Sequence, residues 1–232
     1  MSENAVPPSQ VPAEGVPAAQ RVLEALRERI VRGDLGPGDR IVERAVCAEL
    51  GVSRTPLREA LKLLEIDGLV DLSQNRGGRV RPFTEQEARQ LFEVLAGIES
   101  TAAELATERV TPAGMAMLEA LHTSMRTHYE TEDLDNYFAL NSQIHQAVID
   151  FTGNDVLRRL HLSLMLRAKR GRYLAILDKR RWEQAMAEHE DLIDAIRRRN
   201  AADAGRIWRG HLIHTGQAVT GVLMREGAAP AP

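Results

Sequence analysis

Only one of the 232 residues is a cysteine, Cys47, and aromatics make up 4%. A single thiol excludes an intrachain disulfide and gives no sign of an oxidising compartment. So few rings argue against a stacking platform for single-stranded nucleic acid. No apolar run approaches the roughly 18 residues of a membrane span. The first residues lack a basic start followed by an apolar stretch. Neither anchor nor secretory leader is therefore expected, and the cytoplasm is the expected location. Neither sign of charge dominates: 30 Lys and Arg stand against 33 Asp and Glu, net −3. That excludes a chain that is basic all over, but not one with a basic face. What is present is globular in balance, 44% hydrophobic and 27% charged, and the length fits one or two domains.

The pattern divides near Pro82. Residues 1–16 carry Pro7, Pro8 and Pro12 and few large apolar groups, so they read as a disordered tail, as do 227–232. Within 17–82 the segments are short. Val22, Leu26 and Ile30 form one helical stripe that stops at Gly33. Gly36-Pro37-Gly38 turns the chain. Glu43 to Leu50 is a short helix closed by Gly51, and Ser53 caps a third helix running to about Asp67. Extended runs at Leu69 to Leu72 and Arg79 to Arg81 flank a glycine-rich turn and predict a hairpin. Within 83–226 six long helical patterns follow: Thr84 to Glu108, Pro112 to Glu130, Leu134 to Phe151, Asp155 to Leu177, Arg180 to Arg199 and Ala202 to Met224. Thr84 with Glu87 makes a capping box, Thr111-Pro112 a cap with first-turn proline, and Asn154 a cap. No strand alternates with these helices, so the second domain is expected to be an all-α antiparallel bundle and the chain mainly α.

Helix, short helix, turn, helix, hairpin is the layout of a winged helix-turn-helix. In the third helix Leu57, Ala60, Leu61 and Leu64 form the inner stripe, while Arg54, Arg58 and Lys62 line another face. Arg54, Thr55 and Arg58 fall near the N-terminal end, by which a recognition helix enters the major groove. There Arg can pair with guanine O6 and N7. Arg44 starts the preceding helix, and Arg76 and Arg79 sit in the wing, within reach of phosphate or the minor groove. Residues 40–81 hold eight basic and six acidic side chains, while 83–232 hold 18 and 21. That is a mild segregation in favour of the front.

The runs Leu35-Gly36-Pro37-Gly38-Asp39-Arg40, Gly51-Val52-Ser53-Arg54-Thr55-Pro56-Leu57-Arg58-Glu59-Ala60-Leu61 and Leu64-Glu65-Ile66-Asp67-Gly68-Leu69-Val70 resemble the DNA-binding domain of the GntR transcriptional regulators. The resemblance spans about Val22 to Val80. It implies operator contacts at Arg44, Arg54, Thr55 and Arg58, with a wing tip at Asn75, Arg76 and Gly77.

The histidines of the second domain also follow a pattern. His145 shares a stripe with Phe138, Asn141, Val148 and Ile149. His189 shares one with Leu192, Ile193 and Ile196, and His211 one with Ile207, Trp208, His214 and Ala218. Three helices thus point an imidazole inward. Unpartnered buried polar groups cost about 1–3 kcal/mol each, and one metal ion would satisfy all three. Neutral imidazoles with an oxygen ligand suit Zn or Ni.

Asn141-x-x-x-His145, Gly153-Asn154, Glu188-His189 and His211-Leu212 resemble the FCD ligand-binding domain of the FadR-type branch; six helices rather than seven suit its VanR-like group. The resemblance implies a divalent metal held by Asn141, His145, His189 and His211, facing a pocket for a small carboxylate effector. Asn141 stands where Asp is usual and weakens that ligand. Members often carry an Arg on the stretch matching Phe92 to Leu95; here the position is Leu95. Arg167, on the apolar stripe of the fourth bundle helix, is the expected cation for the acid, with Tyr137 and Tyr173 supplying hydroxyls and His214 a lesser alternative to His211.

The whole reads as a homodimeric, double-stranded-operator-binding regulator, with repression as the expected sense. The rival is a helical metallohydrolase on His145, His189 and His211. It lacks a general base, because Glu188 and Glu190 lie about 100° off the inward face. A third reading leaves the histidines purely structural.

Overall fold

The computed structural model describes residues 16–73 and 77–228. Its elements are α1 (Ala18–Arg32), β1 (Arg40–Ile41), α2 (Glu43–Leu50), α3 (Arg54–Ile66), β2 (Val70–Ser73), β3 (Gly77–Val80), α4 (Glu85–Arg109), α5 (Pro112–Glu130), α6 (Leu134–Phe151), α7 (Asp155–Ile176), α8 (Lys179–Arg197) and α9 (Ala201–Ala228). They fall into two compact units that divide between Arg81 and Pro82. The tail expected at the front lies outside the described residues except for Val16. Helix α9 continues through Gly227 and Ala228, which the sequence reads as tail.

In the first unit α1 and α3 face each other across Val22, Leu26, Ile30, Leu57, Ala60, Leu61 and Leu64, all buried. Gly33 ends α1 at φ 89° and Gly51 ends α2 at φ 62°, a left-handed turn that glycine enters without steric cost. Ser53 occupies the cap position of α3, but its hydroxyl makes no cap hydrogen bond. This corrects the expectation that it caps the helix. The hairpin forms one residue later than expected on its first arm and two residues earlier on its second. The two-residue strand β1 joins it, in the order β1-β3-β2, all antiparallel. Gly78 sits where a Cβ would come within 2.8 Å of Val70 Cγ1, so the sheet closes onto α3 only with glycine there.

In the second unit six helices follow one another, with α4 packed along α9. The expected caps are present: Thr84 and Glu87 form a full capping box, Thr111 accepts from Gly114 N–H, and Asn154 accepts from Val156 and Leu157 N–H. Among the described residues no helix is long and apolar enough to cross a membrane.

Candidate functional site

The first candidate site is the outer face of α3. Its inner stripe is buried, which leaves Arg54, Thr55, Arg58 and Lys62 exposed, with Arg44 exposed on α2. A cleft of about 600 Å³ runs between α3 and the sheet, lined by Arg40, Glu43, Arg54, Arg58, Lys62 and Gly77 among others. Arg58 is 64% exposed and stands 3.4 Å from Glu43. Such a pair is worth about 0–1 kcal/mol and releases the guanidinium readily. Arg79 donates to the Gly38 carbonyl and so ties the wing to the preceding turn. Gly77 sits at φ +75°, where a Cβ would lie 3.2 Å from the Ile41 carbonyl. Asn75 and Arg76 lie outside the described residues.

The second candidate site lies inside the bundle. His145 on α6, His189 on α8 and His211 on α9 are all buried, and each offers a nitrogen within 4.8 Å of the others. Their ring centroids are 4.9–5.6 Å apart. Asn141 is buried one turn before His145. His145 Nε2, both nitrogens of His189 and Asn141 Oδ1 have no hydrogen-bond partner. His214 is excluded from the cluster: it is 43% exposed and bonded through Nδ1 to Glu188.

Burial lowers all three imidazoles below their ordinary pKa: His145 to about 3 and His211 to about 4, against the pull of Glu99 and Glu188 respectively, and His189 well below 6.5. Each is therefore neutral, the form with a lone pair to give. The residues present fit a divalent ion of the zinc or nickel type: three neutral imidazoles, one amide oxygen, and no other buried partner for their free atoms.

Two carboxylates orient the rings. The His145 Nδ1–H donates to Glu99, which also accepts from His161 Nε2–H at 3.1 Å. The His211 Nδ1–H donates to Glu188 at 2.7 Å. In each case the bond turns Nε2 toward the cluster and fixes the tautomer. Burial pushes Glu188 up, but His211 and the Arg181 guanidinium outweigh it and leave its carboxyl at about 2. Glu99 is likewise held below the usual carboxylate range, its burial outweighed by His145 and His161. Arg181 spans Glu188, the His211 carbonyl and Thr215 Oγ1 at 2.8–3.1 Å.

Sequence reasoning missed Glu99, His161, Arg172 and Arg181, and set Glu188 aside. Glu188 does point off the cluster, but onto His211 rather than into solvent. Glu99 carried a signal: it lies on the buried α4 stripe of Leu95, Ala96, Ala102 and Ala103. Of the residues expected to meet the acid, Tyr137 is fully buried with a free hydroxyl. Tyr173 donates to Asp135 at 3.1 Å. Arg167 is 35% exposed and 3.6 Å from Glu87, so it is locally paired. Arg172, one turn and a residue further along α7, is buried, and its Nη2 has no hydrogen-bond partner.

Residues 18–80 match the profile of the gntR family of bacterial regulatory proteins, and residues 90–214 match the FCD domain. Two full-length relatives are similar. The uncharacterized HTH-type transcriptional regulator YdhC of Bacillus subtilis is 28% identical over 202 residues, 85% of this chain and 89% of that protein. The HTH-type transcriptional repressor RspR of Escherichia coli K12 is 26% identical over 203 residues, 88% and 89% respectively. Among solved structures, E. coli McbR/YncC shares the fold at a TM-score of 0.77 with 20% identity, covering 91% of this chain and 99% of that one. A GntR regulator from Rhodococcus sp. RHA1 shares it at 0.72 with 23% identity, over 91% and 99%.

Proposed function

The chain belongs to the GntR family of transcriptional regulators and carries an FCD domain; from that premise we propose that it is a homodimeric repressor, acting in the cytoplasm, whose hold on operator DNA is set by a small organic acid at a divalent-metal site. Membership removes the metallohydrolase reading. The observation that carries the proposal is the meeting of three buried imidazoles from three helices, with unpartnered nitrogens on His145 and His189.

Asn141, His145, His189 and His211 would hold the ion. Bound there, it would act as a Lewis acid that takes a carboxylate oxygen in place of water. Glu99 and Glu188 keep His145 and His211 in the ligating tautomer. Burial keeps the Tyr137 phenol protonated, hence a donor toward an anion. At the front, exposed Arg54, Thr55 and Arg58, the last once released from Glu43, would meet base edges, and Arg44 and Lys62 phosphates. The wing tip at Asn75, Arg76 and Gly77 remains an expectation from the family. One recognition helix reads too few base pairs, so two copies on half-sites about 10 base pairs apart are required. The acid acts by population shift: operator affinity changes by the acid's differential affinity for the two states. Repression rests on the family and on the relative named as a repressor.

The test has two parts. Arg54→Ala with Arg58→Ala should abolish specific gel-shift binding with the fold intact by circular dichroism. Unchanged titration rejects the recognition helix. His145→Ala with His189→Ala should empty the protein of zinc or nickel by elemental analysis; equal metal content rejects the centre. Metal retained with no acid-dependent change in operator affinity would favour an ion that only holds the bundle.

A further inference from the structure

Among the described residues, six of the nine buried polar atoms without partners sort by the sign of what they require; the other three are His122 Nε2, the second nitrogen of His189 and Trp208 Nε1. Asn141 Oδ1, His145 Nε2 and one nitrogen of neutral His189 offer lone pairs and call for a cation. Tyr137 Oη, Arg172 Nη2 and Trp182 Nε1 offer protons and call for an anion. The two sets adjoin. Tyr137, Asn141 and His145 follow at four-residue steps on α6, about 6 Å apart each, and all three are buried. The Trp182 ring stands edge-on to Tyr137 at 5.1 Å. Arg172 enters from α7, and its field reaches Tyr137, His145, His189 and His211.

Arg172 is 2% exposed. Its one hydrogen bond among the described residues runs from Nη1 to Met165 Sδ at 3.1 Å, a weak acceptor. A guanidinium buried on these terms is expensive unless an anion joins it.

Charge decides which anion. Arg181 and Glu188 cancel as a 2.9 Å pair, while Glu99 is bonded to His145 and His161 and not to Arg172. The donor set Asn141, His145, His189 and His211 is wholly neutral, so a divalent ion there adds two positive charges that its own ligands do not offset. An Asp at position 141 would have cancelled one of them; the amide cancels none.

Resting on the metal-site reading above, we propose that the effector is a dicarboxylate. One carboxylate serves the ion, and the other is held by Arg172 Nη2 and Tyr137 Oη. Arg172, not Arg167, is then the residue that selects for the second carboxylate.

Zinc-loaded full-length protein, with zinc content read by elemental analysis, would be titrated calorimetrically with malate and succinate, with lactate and propionate as monoanions of similar length, and with inorganic phosphate. The expected result is dicarboxylate affinity roughly tenfold or more above the monocarboxylates. Arg172→Gln should remove that advantage while zinc content stays unchanged. Tyr137→Phe, which deletes one unpartnered hydroxyl and should fold normally, should reduce it severalfold and keeps the proposal testable if Arg172→Gln does not fold. Equal affinity for the two classes, binding of phosphate as tight as malate, no binding of any acid, or full affinity in a folded Arg172→Gln would each overturn it. Loss of zinc from the wild type would overturn the metal reading and, with it, the charge count. Zinc bound without discrimination overturns only the present inference.

Discussion

At the scale of single residues, the proposed centre would depend on groups that do not touch the ion. Glu99 accepts from two imidazoles at once. A glutamine there would keep the size but offer one acceptor and one donor. With its amide N–H toward His145 Nδ1 it would drive that ring toward the other tautomer, with a proton on the Nε2 needed as ligand. Glu99→Gln should therefore weaken zinc binding about 10- to 100-fold, measured by competition with a chromophoric chelator. Unchanged affinity would show that Glu99 does not set the ring. The three histidines and Asn141 were legible because each polar residue sits on an otherwise apolar stripe. The same rule applied to α4 picks out Glu99. Glu188 and Arg181 were not legible in this way, because Glu188 lies off the stripe of its own helix. Its contact with His211 exists only through the packing of α8 on α9, which no periodicity reports.

At the scale of elements, helix boundaries in the bundle followed the sequence closely because caps mark them. Thr84, Thr111 and Asn154 each satisfy backbone N–H groups that would otherwise be orphaned. Strand β1 was not legible: two residues carry no period, and only pairing with β3 makes them a strand. The packing of α4 on α9 depends on Gly216, where a Cβ would come within 2.7 Å of Phe92 Cβ and 3.1 Å of its ring root. Those atoms cannot swing aside, so Gly216→Ala should cost about 1–3 kcal/mol. Gly97, on α4 itself, has nothing within 4 Å of its added Cβ. Gly97→Ala should add about 0.5–1 kcal/mol through helix propensity. Urea midpoints of the two variants moving in the same direction would contradict this account of the interface.

At the scale of the whole molecule, the neutral imidazoles make the metal-free protein sensitive to acid. His145 at about 3, His211 at about 4 and His189 well below its ordinary value bind no proton when folded at mild acidity. An unfolded chain takes up protons below about pH 6.5. Stability is therefore full above that value and falls as pH drops toward the folded values, by up to about 1.4 kcal/mol per unit for each group. All three groups act in the same direction. The melting temperature of metal-free protein should fall steeply between pH 7 and pH 5. A flat profile would mean that the rings titrate freely in the folded state. The three clustered rings also come from separate helices, at positions 145, 189 and 211, and all are buried. The unfolded chain has no such centre. Burial of all three rings makes opening of the bundle the slow step in release of the proposed ion, so its extraction by excess chelator should proceed at a rate independent of chelator concentration. Each molecule would then keep, over its lifetime, a record of the metal available when it folded.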